Sequence, residues 1–507
     1  MVHQHRGKLS PACGRCRSRR LKCDQKRPSC SQCIRARTEC SGYRDLTAGR
    51  FFDQTEEVKR KISPSSLSSS SSSPPSQKQK LSQPGALVRQ QISAPLADHG
   101  TAFMMSRYLT RDGLRGPMET FLPNILNTPS GRAVTASIKA VGLSALSNIH
   151  NSPKLMLTAR QEYITALAET NAALSNPMQS TSDSTLAAVA FLGIYEIMTC
   201  NGPPLMERYL NHLEGSAKLI QLRGSDQLKE FVGLGLFTQF RMTIVLGNFW
   251  LKKPTPSWLT ALSHEAHSYR EGTGWIEDEL FLLISQVGDL CARMRDGAFI
   301  DSAKIVKKAL KLDSDLNAWA ISVKPSGDYT IVDVPASMKE GKSAYSPLRH
   351  IYGSQYHIYP DTVVSCWWND YRFARLLLLE LVCWLGDHLA RKDEAAGAWS
   401  EHRQTIAQST ALSTQLCEEI CASVPYYLGA TETSPNENLS SPRTGSVIRL
   451  IWSLFIAADC TGTTPEMTEW IADSLFKIGH AVGIQQALVM SDILRSGRHL
   501  MWLPELG

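Results

Sequence analysis

The chain has 507 residues, a mass of 56.1 kDa, 43% hydrophobic residues and 20% charged residues. That length exceeds one compact core, and that composition excludes a fully disordered protein. The net charge of +7 is unevenly placed. Residues 1–44 hold twelve Lys and Arg against two acids (Asp24 and Glu39), a net of +10, which leaves −3 for the rest. A basic head on a slightly acidic body suggests a small polyanion-binding module joined to a large domain.

Cysteine is clustered in the same head. Six of the 13 Cys lie between positions 13 and 40. The start, MVHQHRGKLS, has no apolar stretch, so no signal peptide is expected. The most apolar run, Leu376 to Leu385, is interrupted by Glu380, so no membrane span is expected. In a reducing compartment, clustered cysteines point to metal rather than to disulfides.

The head reads Cys13-x2-Cys16-x6-Cys23-x6-Cys30-x2-Cys33-x6-Cys40. The unit Cys-x2-Cys-x6-Cys occurs twice, offset by 17 residues. A Cys-x2-Cys pair can chelate one tetrahedral Zn²⁺, and a structural site takes four ligands. Six sulfurs serve two sites only if two thiolates bridge. One full site with two spare cysteines is the alternative, and the repeat argues against it. Leu21 and Ile34 are the only sizeable apolar residues between Cys13 and Cys40, so folding free energy must come from metal.

Arg15, Arg17, Arg19, Arg20 and Lys22 crowd the first half, and Lys26 and Arg27 join the halves. The second half has Arg35 and Arg37 against Glu39. Two Zn²⁺ and six thiolates subtract two charges and leave about +8, enough to bind phosphate by counterion release. The first half is expected to enter the groove and the second to support it. No aromatic residue lies between Cys13 and Cys40, and Tyr43 is the nearest, which disfavours a base-stacking RNA knuckle.

Residues 13–40 resemble the fungal binuclear zinc-cluster transcription factors, whose cysteine spacing they meet at every position. The basic run ending Lys22-Cys23-Asp24 and the loop proline Pro28 also match. The resemblance implies two Zn²⁺ per chain, with Cys13 and Cys30 bridging. Cys16 and Cys23 then complete one site, and Cys33 and Cys40 the other. It implies a short helix after each Cys-x2-Cys, the first with its end in the DNA major groove. Arg19 and Arg20 then read a CGG triplet and Lys22 contacts phosphate; the charge of the head places Arg15, Arg17, Lys26 and Arg27 among the expected DNA-binding residues as well. Arg suits guanine because its fork reaches O6 and N7 together. Pro28 is cis in the relatives, against an ordinary turn residue as the plainer reading.

Beyond the head (residues 8–44), a linker is expected over 45–100. Residues 45–62 contain Leu46, Phe51, Phe52, Val58 and Ile62 at spacings that make no heptad, so no coiled-coil dimerisation is supported. Lys59-Arg60-Lys61 could serve nuclear import. Residues 63–84 are low in complexity; SPSSLSSSSSSPPS holds ten Ser and three Pro in 14 residues, a disordered composition.

Residues 101–507 read as a large all-α domain, suggesting two packed sub-bundles. The positions 184–199 are apolar nearly all round, a central helix with Asp183 or Ser184 as N-cap. Leu205, Tyr209, Leu213, Ala217 and Ile220 form one helical stripe. Gly202-Pro203-Pro204 would open that helix, Gly224 would close it, and Glu214 would pair with Lys218. Trp367, Tyr371, Ala374, Leu378, Leu381, Leu385 and Leu389 mark another long helix. Few alternating strands are visible. The segment Arg208–Gly224 is similar to the His-x-x-Gly-Ala-x-x-Leu-x-x-x-Arg-Gly signature of the regulatory domain in the same family, with Ser216 in place of Ala. His212 and Arg223 then have the bland alternative of helix-face structural residues. Trp250, Trp258, Trp367, Trp368, Trp384 and Trp452 are expected in the core rather than around a ligand, and Cys200, Cys291, Cys366, Cys383, Cys417, Cys421 and Cys460 as ordinary buried thiols.

No GxSxG, GxxxxGK or GxGxxG occurs, His264-Glu265-Ala266-His267 fails the HExxH spacing, and Glu418-Glu419 point apart on a helix. The chain therefore reads as a non-enzymatic, nuclear transcription regulator of RNA polymerase II genes. It would bind double-stranded DNA with CGG triplets and contact transcription machinery or co-regulators, serving a biosynthetic gene cluster or a nutrient pathway. The alternative is an enzyme or ligand-binding helical domain with an accessory zinc nucleic-acid-binding head.

Overall fold

A computed structural model describes residues 12–42, 95–109, 117–126, 131–200, 202, 207–270, 272, 274–295, 301–334, 351–395, 401–431 and 444–497. The expectations for residues 45–62, the Ser/Pro tract, Lys59–Lys61, Tyr43, Pro203-Pro204 and Leu205 lie outside these. The chain divides into two compact units, Met1–Gln90 and Gln91–Gly507.

The first unit contains α1 (Gly14–Ser18) and α2 (Ser31–Arg35), offset by 17 residues like the cysteines. The helices begin inside the Cys-x2-Cys rather than after it. Each ends alike. Arg20 donates to the Arg17 carbonyl (3.2 Å) and Leu21 to that of Cys16 (2.8 Å). Arg37 donates to Ile34 (3.0 Å) and Thr38 to Cys33 (3.2 Å). Arg20 and Arg37 both take left-handed backbone, φ 54° and 51°, so both helices stop in a Schellman motif. Leu21 and Ile34 are exposed, so among its described residues the unit has no apolar core beyond its sulfurs.

The second unit is helical. Helix α3 (Leu96–Met104) runs into a π-helical turn (Met105–Leu109). Its first residues precede position 101, where the sequence placed the start of the domain. Then come α4 (Pro117–Leu126), α5 (Arg132–His150), α6 (Pro153–Ser175), α7 (Asp183–Thr199) and α8 (Glu207–Arg223). A 3₁₀ turn (Gly224–Lys229) leads to α9 (Phe231–Leu251), α10 (Ser257–His267), α11 (Gly274–Arg295) and α12 (Ser302–Gly327). After a hairpin follow α13 (Thr362–Ala395), α14 (His402–Tyr427), α15 (Thr444–Ala457), α16 (Pro465–Ile478) and α17 (Gln485–Arg495). Among the described residues one main apolar cluster runs from Met104 to Leu494, with two small satellite clusters beside it, rather than two sub-bundles of comparable size. No helix among the described residues is long and apolar enough to cross a membrane.

The helix expected at the centre is there, and so is the other long helix. Most of α7 is buried, and nearly every residue of α13 from Val364 to Leu385 is buried, including Arg372 and Arg375. Those charges are paired. Arg372 donates to Glu419 (2.9 Å) and to the Tyr359 hydroxyl (2.9 Å), while Arg375 forks onto both oxygens of Asp313 (2.6 and 2.9 Å). The N-cap of α7 is Ser182, whose Oγ accepts from the Thr185 N–H, which leaves Asp183 free to pair elsewhere. Gly224 takes φ 57° just past α8, as a terminating glycine should. Glu214 pairs with Lys253 beyond the end of α9, not with Lys218.

The sequence overlooked one hairpin. Strands β1 (Thr330–Asp333) and β2 (Gln355–Ile358) pair antiparallel, with Thr330 opposite Ile358 and Asp333 opposite Gln355.

Candidate metal centre and nucleic-acid interface

The repeat brings all six cysteines of the head together. Cys13, Cys16, Cys30 and Cys33 are fully buried, and Cys23 and Cys40 flank them. The Sγ atom of Cys13 lies 3.7 Å from that of Cys30 and 3.8 Å from that of Cys33, and Cys16 lies 3.8 Å from Cys30. Two sets of four sulfurs each fall within 4.8 Å: Cys13, Cys16, Cys23, Cys30 and Cys13, Cys30, Cys33, Cys40. A tetrahedral zinc with Zn–S bonds of about 2.3 Å separates its sulfurs by about 3.8 Å. The sulfur spacings therefore fit two zinc centres that share an edge. Zinc would neutralise thiolates that otherwise repel one another and would tie the two helices together.

Neighbouring groups hold this frame. Asp24 accepts from the Ser31 N–H (3.0 Å) and hydroxyl (2.5 Å), bonds that hold its carboxyl below the usual range and cap α2 from outside. Ser41 accepts from the Arg15 N–H (3.1 Å), and a Cβ on Gly14 would stand 2.7 Å from the Ser41 oxygen. A side chain at position 14 would press on the Ser41 hydroxyl, so glycine eases the close approach of the segments around Cys13 and Cys40. The Arg27–Pro28 bond is cis.

The basic residues fall into two groups. Arg15 donates a guanidinium N–H to the Gln32 carbonyl (3.3 Å), and Arg17 donates to that of Ala12 (2.6 Å). Both therefore help to fold the head. Arg19, Arg20, Lys22, Lys26 and Arg27 are exposed. Arg19 and Arg20 stand at the end of α1, where the left-handed turn at Arg20 redirects the chain.

In the second unit, Arg223 is buried and binds Asp183 at 2.5 Å, joining the end of α8 to the start of α7. That is a structural role. His212 lies half-buried near the Tyr163 hydroxyl (3.4 Å), and the Ser216 hydroxyl donates to the His212 carbonyl (3.0 Å). Burial pushes the His212 pKa down. Trp367 and Trp368 are core residues, as expected, but Trp250 and Trp452 line a cavity together with His212. The other cysteines are buried, Cys200 only partly.

Residues 11–49 match the fungal Zn(2)-Cys(6) binuclear cluster domain. Residues 115–496 match the fungal specific transcription factor domain. Transcription factor dbaG of Emericella nidulans is 23% identical over 373 residues, which cover 71% of this chain and 81% of that protein. No solved structure matches. A two-zinc, six-cysteine DNA-binding head and a helical domain matched over most of its length place this chain in the family of fungal Zn(2)-Cys(6) transcription factors.

Proposed function

We propose that the chain is a nuclear, sequence-specific regulator of RNA polymerase II genes that reads CGG triplets with the end of α1. Cys13 and Cys30 bridge the two zinc ions; Cys16 and Cys23 complete one site, and Cys33 and Cys40 the other. Arg19 and Arg20 contact guanine edges, Lys22 contacts phosphate, and Lys26 and Arg27 add phosphate contacts from the connecting loop. Arg15 and Arg17 shape the interface from within. The helical domain contacts transcription machinery or co-regulators and has no catalytic role, and the regulated genes form a biosynthetic cluster or a nutrient pathway.

The observation that carries this reading is the partition of the arginines. Two turn back onto carbonyls of the head, and two stand exposed where α1 ends. An exposed Arg at a short helix end can offer two parallel N–H groups to guanine O6 and N7. Exposed lysines supply the sequence-independent part of affinity. Mapping of chromatin-bound sites tests the proposal: CGG triplets should be enriched under the peaks, and the neighbouring genes should name the pathway. Peaks without a shared triplet would overturn it.

A further inference from the structure

The signature helix α8 presents His212 and Ser216 to a cavity of about 150 Å³. Five helices that are far apart in sequence wall it: α7, α8, α9, α13 and α15. Its lining is chiefly apolar and aromatic, with Tyr209, Phe240, Trp250, Phe373 and Trp452. The Trp250 and Trp452 rings lie 5.2 Å apart and are inclined by 50°. The helices approach closely around it: a Cβ on Gly247 would run into the Leu213 side chain, and one on Gly193 would touch His212 and Tyr209 at 3.4 Å.

We propose that this cavity is a small-molecule site that takes a neutral, planar aromatic compound of one or two rings bearing a hydroxyl or carbonyl oxygen. Volume sets the size: a cavity of roughly 150 Å³ holds a benzene ring, and this one is only partly enclosed, which leaves room for a second ring. The aromatic walls set the shape, because π faces and edges reward a flat partner. Charge sets the class. Arg449 and Asp370 line the cavity as an ion pair, so they bring no net charge. An ionic ligand would lose its hydration there without gaining a counter-ion. A guanidinium carries five N–H donors, and among the described residues the Arg449–Asp370 bond uses one of them, so Arg449 can offer a further donor to a ligand oxygen at that wall. His212 on α8 supplies a second polar group to the lining. The site belongs to the helical domain alone and does not depend on how the head reads DNA.

The test uses the full zinc-loaded chain without DNA and 2-naphthol as the probe. Calorimetric titration should show one site per chain with Kd on the order of 10⁻⁴ M or tighter. The anion 2-naphthoate should bind at least tenfold more weakly. Ala190→Trp, which fills the cavity from α7, should weaken 2-naphthol at least tenfold. An azide-substituted 2-naphthol should photolabel peptides containing Trp250 or Trp452 in the unaltered chain, a readout that stands even where Ala190→Trp does not fold. Absence of saturable binding, labelling confined to other peptides, or tighter binding of 2-naphthoate would each overturn the proposal.

Discussion

Cys13 and Cys30 hold their sulfurs 3.7 Å apart, and they alone belong to both four-sulfur sets of the head. The described residues of the head offer almost nothing else to fold around, since Leu21 and Ile34 face solvent. Metal binding and folding are therefore one event here. Metal analysis of the purified chain should give two zinc per chain. Cys13→Ala or Cys30→Ala should abolish both, whereas Cys16→Ala should spare the Cys30–Cys33–Cys40 side. One zinc in the unaltered chain, or full retention of one by Cys13→Ala, would contradict the shared edge.

Arg20 and Arg15 should respond differently to truncation. Arg20→Ala should cost about 1–3 kcal/mol at a cognate CGG duplex and relax discrimination at that base. An equal loss on unrelated DNA would make Arg20 a phosphate contact. Arg15 bonds to the Gln32 carbonyl across the two halves. Arg15→Ala should instead lower the chelator concentration needed to strip zinc, read by a colorimetric zinc indicator.

Arg223 and Asp183 tie α8 to α7, with Arg223 buried and Asp183 partly exposed. Asp183→Ala leaves that guanidinium without its carboxylate and should destabilise the helical domain by about 1.5–3 kcal/mol. The urea midpoint should fall at unchanged slope. An unmoved midpoint would show that the pair is solvated to no effect.

His357 on β2 is buried between the Tyr329 ring, tilted by 39° at a centroid distance of 4.3 Å, and the Tyr359 hydroxyl at 3.2 Å. Burial first, and then the nearby Arg372 charge, push its pKa down to about 2. The unfolded chain binds a proton near pH 6.5 that the folded chain refuses. The contribution of a neutral His357 is thus complete above about pH 6.5 and is lost as pH falls toward 2, by up to about 1.4 kcal/mol per unit. The stability difference between the unaltered chain and His357→Asn should therefore shrink on going from pH 7 to pH 5. A difference independent of pH would place His357 in contact with water.

What the sequence showed depended on range. The 17-residue repeat of the head is written in adjacent residues, and it reappears in the backbone as left-handed turns at Arg20 and Arg37. The long helices α7 and α13 are equally local, because burial leaves unbroken 3.6-residue apolar stripes. Local competition hid the finer choices. Ser182, Asp183 and Ser184 can each cap a helix, and the pairing of Asp183 with Arg223 decides for Ser182. Glu214 had a lysine one turn away but found Lys253. The β1–β2 hairpin joins strands of four residues, too short for alternation to register. The cavity was invisible because helices from Val189 to Ser453 contribute to it, and tryptophan in a stripe looks the same facing a core or a void.

The central claim is that the zinc-held head reads a CGG-containing site. Fluorescence anisotropy of the full chain on a CGG duplex and on a scrambled duplex of equal length, with and without a zinc chelator, tests it most directly. Each lost base pair of the triplet should cost about 1–3 kcal/mol, and chelation should remove the preference altogether. Equal affinity for both duplexes, untouched by the chelator, would contradict the account.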